Sequence, residues 1–325
     1  LFLSADAYGQ DTEVLAKVGT FGAQFLKIQV GARGMSLGDA YTIIGDDAST
    51  IFWNPAGLTG VRNTSLFFSH TEWLAGIRYE AGAVARHFDG IGTFGISFSY
   101  LTSGEIEETT VDLQEGTGRK FSTVDLMVGA SFARMLTDKF GIGGNLKLVK
   151  EDLGVGLEED YSDAVWGVDI GILYDTGFRT IKIGMSIRNF GPEMQPAGTY
   201  IDYDQGKLIY EPGTTVPQKN KFRQYRMPLN FRFGVAVNPI DNDMGKLNLS
   251  IVGEHPPDNV ERVNMGAEYW FQNMLALRGG YSFGHDTKGI SFGAGIKFSS
   301  VNVDYAYTDF GVLNFVHTAS LLFNL

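Results

Sequence analysis

The 325-residue chain contains no cysteine, which excludes a disulfide framework and any cysteine-based metal or thiol chemistry. That absence fixes no compartment by itself, but it suits a bacterial envelope protein. No stretch approaches the roughly 20 consecutive apolar residues that a spanning helix needs, although 44% of the residues are hydrophobic. An α-helical membrane protein is therefore excluded. Basic residues are in deficit, 26 Lys and Arg against 37 Asp and Glu, for a net charge of −11. A nucleic-acid binder draws most of its affinity from neutralising phosphates with Lys and Arg, so nucleic acid is not expected as a partner. Histidine is sparse as well. His70, His87, His255, His285 and His317 show no metal-ligand spacing, and loop or interface positions account for them.

What the chain has in quantity is alternation. Along Thr180 to Arg188, Ile181, Ile183, Met185 and Ile187 point one way while Lys182, Gly184, Ser186 and Arg188 point the other. Successive side chains of a strand face opposite ways, so such a segment carries one apolar and one polar surface. The same holds for Phe94, Ile96, Phe98 and Tyr100 against Gly95, Ser97 and Ser99, and for Val301, Val303, Tyr305 and Tyr307 against Asn302, Asp304 and Ala306. The 42 glycines and 13% aromatics favour tight turns and pleated surfaces. The pattern predicts strands near 64–72, 78–88, 92–104, 122–136, 140–152, 163–176, 180–190, 227–239, 246–255, 261–271, 274–284, 289–298, 301–309 and 314–325.

Connection lengths alternate too. Links after even strands are tight, as at 89–91, 137–139, 177–179, 272–273 and 299–300, whereas links after odd strands are often long and polar, notably 105–121, 153–162 and 191–226. A membrane barrel has this asymmetry, with short periplasmic turns and longer external loops. A tilted strand of about 9–11 residues crosses the hydrocarbon layer, and only a closed barrel satisfies β backbone there. Leu229, Phe231, Phe233, Val235 and Val237 would then meet lipid, with Tyr79, Tyr174, Tyr269 and Tyr281 in interfacial belts. Asn230, Arg232, Asn264, Glu268, Arg278 and Lys297 would line the lumen, a face too charged for a dry core.

A soluble two-layer sandwich also alternates, but it would not need every second loop to be short. The closing segment Phe315–Leu325, in which Leu321, Phe323 and Leu325 alternate to the last residue, favours the barrel. The expected fold is thus all-β, a 14-stranded antiparallel transmembrane outer-membrane β-barrel over 64–325, preceded by an N-terminal hatch or plug segment at 10–63. An even strand count returns the C-terminus to the periplasm, and both termini are expected there with the long loops outside.

No catalytic motif survives its context, and an enzyme is not expected. Gly289-Ile-Ser-Phe-Gly293 matches a nucleophile elbow, but Ser291 sits inside an alternating strand rather than at a strand-to-helix turn. Gly90-Ile-Gly-Thr-Phe-Gly95 matches a dinucleotide fingerprint and lacks the following helix. Asp241-Asn-Asp-Met-Gly245 lacks the third ligand and distal Glu of a calcium loop. No metal site or cofactor is expected. The external acidic groups Glu105, Glu107, Glu108, Asp112 and Glu115, and Glu158, Glu159, Asp160 and Asp163, read as a solvated face, with divalent cations bridging lipopolysaccharide as the alternative.

The N-terminal part is different in kind. Residues 1–9 read either as the remnant of a signal peptide processed before Gln10 or as an N-terminal arm. Gly31 to Ala40 is rich in small residues that permit close backbone approach, as a segment folded inside a barrel requires. Asp46-Asp-Ala-Ser49 offers N-cap chemistry for a short helix through Ile51, Phe52 and Trp53, which supply apolar cover and which Asn54-Pro55 should end.

The segments Ala16–Ile28, Gly31-Ala-Arg33, Gly38-Asp-Ala-Tyr41, Asp46–Ser49 and Trp53-Asn-Pro-Ala-Gly-Leu58 closely resemble the N-terminal signature of PorV/PorQ-family outer-membrane proteins, relatives of the FadL-type fatty acid transporters. The resemblance covers about 16–58 in motifs and the remainder in strand layout. It implies a hatch containing Asn54, Pro55, Ala56 and Gly57, whose simplest role is to turn the chain and hold the plug. It also implies a function in protein secretion or surface assembly of type IX kind, with secretion-system proteins or secreted cargo as partners besides outer-membrane lipid and lipopolysaccharide. The alternative it implies is uptake of long-chain fatty acids or another hydrophobic small molecule. On the secretion reading, the long loop 191–226 is the candidate partner contact, because Tyr200, Tyr203, Tyr210, Phe222 and Tyr225 offer aromatic anchors. Its alternative role is an ordered lid without a partner.

Overall fold

The structure is a computed structural model that describes residues 19–110, 113–201 and 219–325. Fourteen strands form one closed antiparallel barrel: β1 Thr64–Glu72, β2 Arg78–Phe88, β3 Gly92–Thr102, β4 Lys120–Thr137, β5 Phe140–Val155, β6 Ser162–Asp175, β7 Lys182–Phe190, β8 Asn230–Asn242, β9 Gly245–His255, β10 Arg262–Phe271, β11 Leu275–Phe283, β12 Ile290–Phe298, β13 Val301–Asp309 and β14 Phe315–Asn324. Each pairs with its sequence neighbours, and β1 closes on β14 from Ser65↔Asn324 to Glu72↔His317. Closure leaves no unpaired edge, which is what β structure in lipid demands. The pattern of two-fold alternation translated directly into these strands.

The two faces of the wall separate as the alternation predicts. On β8, Phe231, Phe233 and Val235 are exposed outward, while Asn230, Arg232 and Ala236 are buried inward. Burying an apolar side chain of this size is worth roughly 1.5–3 kcal/mol, so a ring of such residues facing water would be untenable for a soluble sandwich. A lipid environment removes that penalty. One expected belt residue differs: Tyr174, Tyr269 and Tyr281 face outward, but Tyr79 is only 3% exposed and points into the lumen. On β2 the inward set is Tyr79, Ala81, Ala83 and Ala85, small residues that mask the face to which the tyrosine belongs.

The shortest connections lie at one end of the barrel and the two longest at the other. Turns 89–91, 138–139, 176–181, 243–244, 272–274 and 299–300 share one end, and the long links 103–119 and 191–229 share the other. Leu325 lies at the tight-turn end, exchanging backbone hydrogen bonds with Thr64 of 2.8 and 3.3 Å. Gly22 lies at the opposite end, where its amide donates to the Arg226 carbonyl.

Residues 22–63 therefore run through the ring from the long-loop end to the tight-turn end. Their regular pieces are short: a 3-10 turn at Gln24–Lys27, one helical turn α1 at Ala32–Ser36, and further 3-10 turns at Ala48–Phe52 and Pro55–Gly60. Almost all of their apolar side chains are buried, and with lumen-facing residues such as Phe67 and Met127 they make the main apolar core.

Candidate functional site

The wall is glycine-rich where this segment leans on it. A Cβ at Gly143 would lie 2.4 Å from the Ala56 nitrogen, one at Gly280 2.1 Å from the Leu37 carbonyl carbon, and one at Gly293 2.4 Å from Ser36 Cβ. Comparable approaches occur at Gly95 to Ile51, Gly171 to Asn54, Gly234 to Ile43 and Gly266 to Leu37. Backbone meets backbone at several of these points, and any side chain there would hold the two apart.

The expected hatch motif sits at the centre of this seat. Asp47 caps the turn Ala48–Phe52, its Oδ1 accepting from the Ser49 amide at 2.8 Å. The expected short helix is a 3-10 turn and ends with Trp53 as its C-cap. Asn54 is extended at φ −154°, ψ 105°, as a residue before proline should be. It then caps a second turn: Oδ1 accepts from the Ala56 amide at 3.1 Å, with Pro55 at the first helical position. Asn54 Nδ2 donates to the Thr42 carbonyl at 2.8 Å and to the Ile172 carbonyl of β6 at 3.1 Å. One side chain thereby ties two parts of the segment to the wall. Gly57 admits Thr50, whose Cβ would be 2.6 Å from a Cβ at that position.

The apolar cover residues are spread around Asn54. Ile51 reaches Gly95, Phe52 packs on Phe67 with ring centroids 6.2 Å apart, and Trp53 meets Tyr41 edge-on at 5.4 Å. The Trp53 indole Nε1 donates to the Val30 carbonyl at 2.9 Å, and the Arg232 guanidinium lies 5.3 Å from its ring centroid. Such a cation over an aromatic face is worth about 0.5–2 kcal/mol, more when shielded from water.

A charged chain fastens the segment as well. Arg33 donates through Nε and Nη2 to both oxygens of Glu268 on β10 at 2.8 and 2.9 Å, and through Nη1 to Asp46 at 2.6 Å. Glu268 also accepts from Arg278 on β11 at 2.7 Å, and Arg278 donates to Asp304 on β13 at 2.6 Å. The bidentate geometry fixes orientation as well as distance. Sequence alternation places Glu268 and Arg278 in the lumen, but it carries no signal that Arg33 completes their network.

At the long-loop mouth, Glu151 accepts from the Ala23 amide and from the Tyr225 hydroxyl, each at 2.7 Å. Tyr225 also exchanges backbone hydrogen bonds with Met194 at 2.8 and 2.9 Å. Of the expected contact loop, Tyr225 is thus turned inward, and the Phe222 ring packs edge-on against Tyr161 at 5.9 Å. Tyr200 belongs to the short strand Thr199–Ile201, which pairs with Lys219–Lys221, and Tyr203 and Tyr210 lie outside the described residues. Beside this cover is a cavity of about 430 Å³ whose apolar lining includes Phe25, Ile28, Trp73, Ile77, Leu101 and Phe310. Lys288 and His285 stand on its rim. Burial, reinforced by Arg262 and Lys288, pushes the His285 imidazole down to about 4.

Part of the charge of the acidic loops is paired from within. Glu108 pairs with Arg119 at 2.8 Å and Glu105 with Lys120 at 2.7 Å, and hydrogen bonds from Thr117 and Arg119 hold the Glu108 carboxyl below its ordinary range. Asp112 lies outside the described residues.

Three solved structures share this architecture at low identity. The TodX deltaS2S3 mutant, a monoaromatic hydrocarbon channel, aligns with a TM-score of 0.61 at 14% identity, covering 91% of this chain and 99% of its own. A Pseudomonas aeruginosa FadL homologue gives 0.58 at 13% identity over 91% and 98% of the two chains. The Ralstonia pickettii toluene transporter TbuX gives 0.55 at 12% over 90% and 96%. These likenesses show that the chain shares the barrel fold of those proteins. No curated protein matches the sequence. Residues 10–252, three quarters of the chain, match the model of the family described as Type IX secretion system protein PorV, and the chain belongs to that family.

Proposed function

We propose that this outer-membrane barrel acts in protein secretion or surface assembly of the type IX kind, holding secretion-system proteins or secreted cargo at its long-loop end, with those loops outside the cell. The family match over residues 10–252 carries this reading, because the barrel fold alone assigns no function. In this reading residues 10–63 serve as the hatch: they close the lumen, and Asn54, Pro55, Ala56 and Gly57 lock them there, so the working surface is the outer mouth rather than a pore. The partner contact is the loop 191–226, with Tyr200, Tyr203, Tyr210 and Phe222 as anchors and Tyr225 holding the loop base to Glu151. The test is mild-detergent purification from the native host followed by mass spectrometry of proteins and lipids. Secretion components or secreted cargo should co-purify and should be lost when the loop is shortened.

A second reading rests on one observation, the cavity of about 430 Å³ at the mouth, whose lining sets apolar residues beside charged ones. Its volume falls within the roughly 300–1,000 Å³ typical of small-molecule sites. Here the barrel takes up a hydrophobic solute; TodX is a monoaromatic hydrocarbon channel and TbuX a toluene transporter. A bound fatty acid or hydrocarbon with no protein partner would replace the first reading by this one.

A further inference from the structure

The opposite end of the barrel holds a second cavity, of about 390 Å³, that neither reading uses. Its rim includes the turn residues Thr180 and Asn273 and, at the end of β14, Asn324, so it opens at the tight-turn end. Its floor is the N-terminal segment, through Arg33, Ile43, Asp46 and Asp47. An occupant must therefore arrive from the tight-turn side.

The lining is polar and unevenly paired. Arg33 is spent on Glu268 and Asp46, and Lys246 pairs with Asp241 at 3.2 Å. Lys182 and Lys297 also line the cup, and among the described residues neither has a carboxylate within ion-pair distance. In a chain of net charge −11, two unneutralised ammonium groups turned into one cavity run against the general balance. Acceptors are left over as well. Asn302 is 8% exposed and its Oδ1 has no donor, and Asn248 gives Nδ2 to Asn238 at 2.8 Å while its Oδ1 also has none. A buried acceptor without a donor costs about 1–3 kcal/mol; both oxygens are shielded in this arrangement, and a ligand N–H satisfies them when the amide turns its oxygen to the cup. Trp270 adds one half-buried aromatic face to the wall.

We propose that this cup binds an acidic peptide segment delivered from the tight-turn side, its carboxylates meeting Lys182 and Lys297 and its backbone N–H groups meeting Asn248 and Asn302. A simple anion satisfies the lysines and leaves both amide oxygens orphaned. A neutral peptide does the reverse. A chain carrying both groups satisfies the whole lining.

The test uses the full chain in detergent and fluorophore-labelled hexapeptides of alternating glutamate and alanine, with glutamine in place of glutamate as the control. Anisotropy should show binding of the acidic peptide that weakens with salt, at least tenfold weaker binding of the glutamine peptide, and a tenfold or greater loss in the Lys182→Gln/Lys297→Gln double variant. Asn302→Leu should weaken the peptide several-fold while leaving competition by inorganic phosphate unchanged. In the unaltered protein the acidic peptide should protect Lys182 and Lys297, but not lysines at the long-loop mouth, from acetylation. Equal binding of the glutamine peptide, an unaffected lysine variant, phosphate competing at the peptide's own concentration, or protection at the wrong end would each overturn the assignment.

Discussion

Removing the Asn54 side chain is the sharpest way to ask whether the inner segment is held as described. In Asn54→Ala the Ala56 amide loses its cap, a loss that costs about 1 kcal/mol at a typical N-terminus. The Thr42 carbonyl, buried 2.8 Å from Asn54 Nδ2, loses its donor at the same time, and an orphaned buried acceptor adds about 1–3 kcal/mol. Together these give roughly 2–4 kcal/mol, which by the tenfold-per-1.4 kcal/mol rule raises the opening equilibrium of the segment about 30- to 700-fold. The barrel ladders are untouched, so the loss should be local. Amide hydrogen exchange at Gly57 and Val61, whose protons are held by the Asn54 and Leu58 carbonyls, should accelerate by that factor while amides in β9 and β13 stay protected. Asn54→Asp should be worse than alanine, because a buried carboxylate would face the Thr42 and Ile172 carbonyls that now accept from an amide. Exchange at Gly57 within twofold of the parent in both variants would refute the anchoring argument.

Deleting 31–58 should raise small-solute conductance in planar bilayers or lower the barrel's unfolding temperature, and unchanged values of both would remove the hatch assignment. Gly143→Val would force a side chain against the Pro55 and Ala56 backbone, where even a Cβ is 2.4 Å away; overpacking of this kind costs about 1–3 kcal/mol, readable as increased protease cleavage within 45–61. His285 accepts at Nδ1 from the Thr287 and Lys288 amides at 3.2 and 3.0 Å, and its pKa falls from an ordinary 6.5 to about 4 on folding. The unfolded chain therefore takes up the proton first, and the loop 284–289 should lose stability progressively as pH falls from 6.5 towards 4; a histidine titration by NMR that centres near 6.5 in the folded protein would contradict this.

The barrel was legible because its physics is local. Each strand has to show apolar groups to one solvent and polar groups to another, and Phe231 next to Arg232 states that requirement within two residues. Tyr79 was misread because one large side chain near a strand end looks like an interfacial anchor, while its true face was set by Ala81, Ala83 and Ala85. At the inner seat, Pro55 announced the break after Trp53, and Asn54 was visible as part of a motif. Its second role as a cap could have been read from an Asn followed by Pro and small residues. The pairing of Arg33 with Glu268, 235 positions apart, leaves no trace in sequence spacing. Nor do the wall glycines, whose meaning depends on what stands opposite.

The path of the inner segment has a mechanical consequence. The turns Ala48–Phe52 and Pro55–Gly60 contact β1 to β6, α1 contacts β11 to β14, and Thr42, Ile43, Leu37 and Arg33 reach β7, β8 and β10, with Ile43 clustering on Val252 of β9. Every strand is thus braced from the centre, like the rim of a wheel by its spokes. Several of the strand positions that receive the spokes, among them Gly143, Gly171, Gly234, Gly266, Gly280 and Gly293, are glycines, the residues that resist bending least, so at these points the wall is softest where it is supported. Squeezing by lipid or by a docked protein at one side is then carried across the diameter instead of flattening the ring.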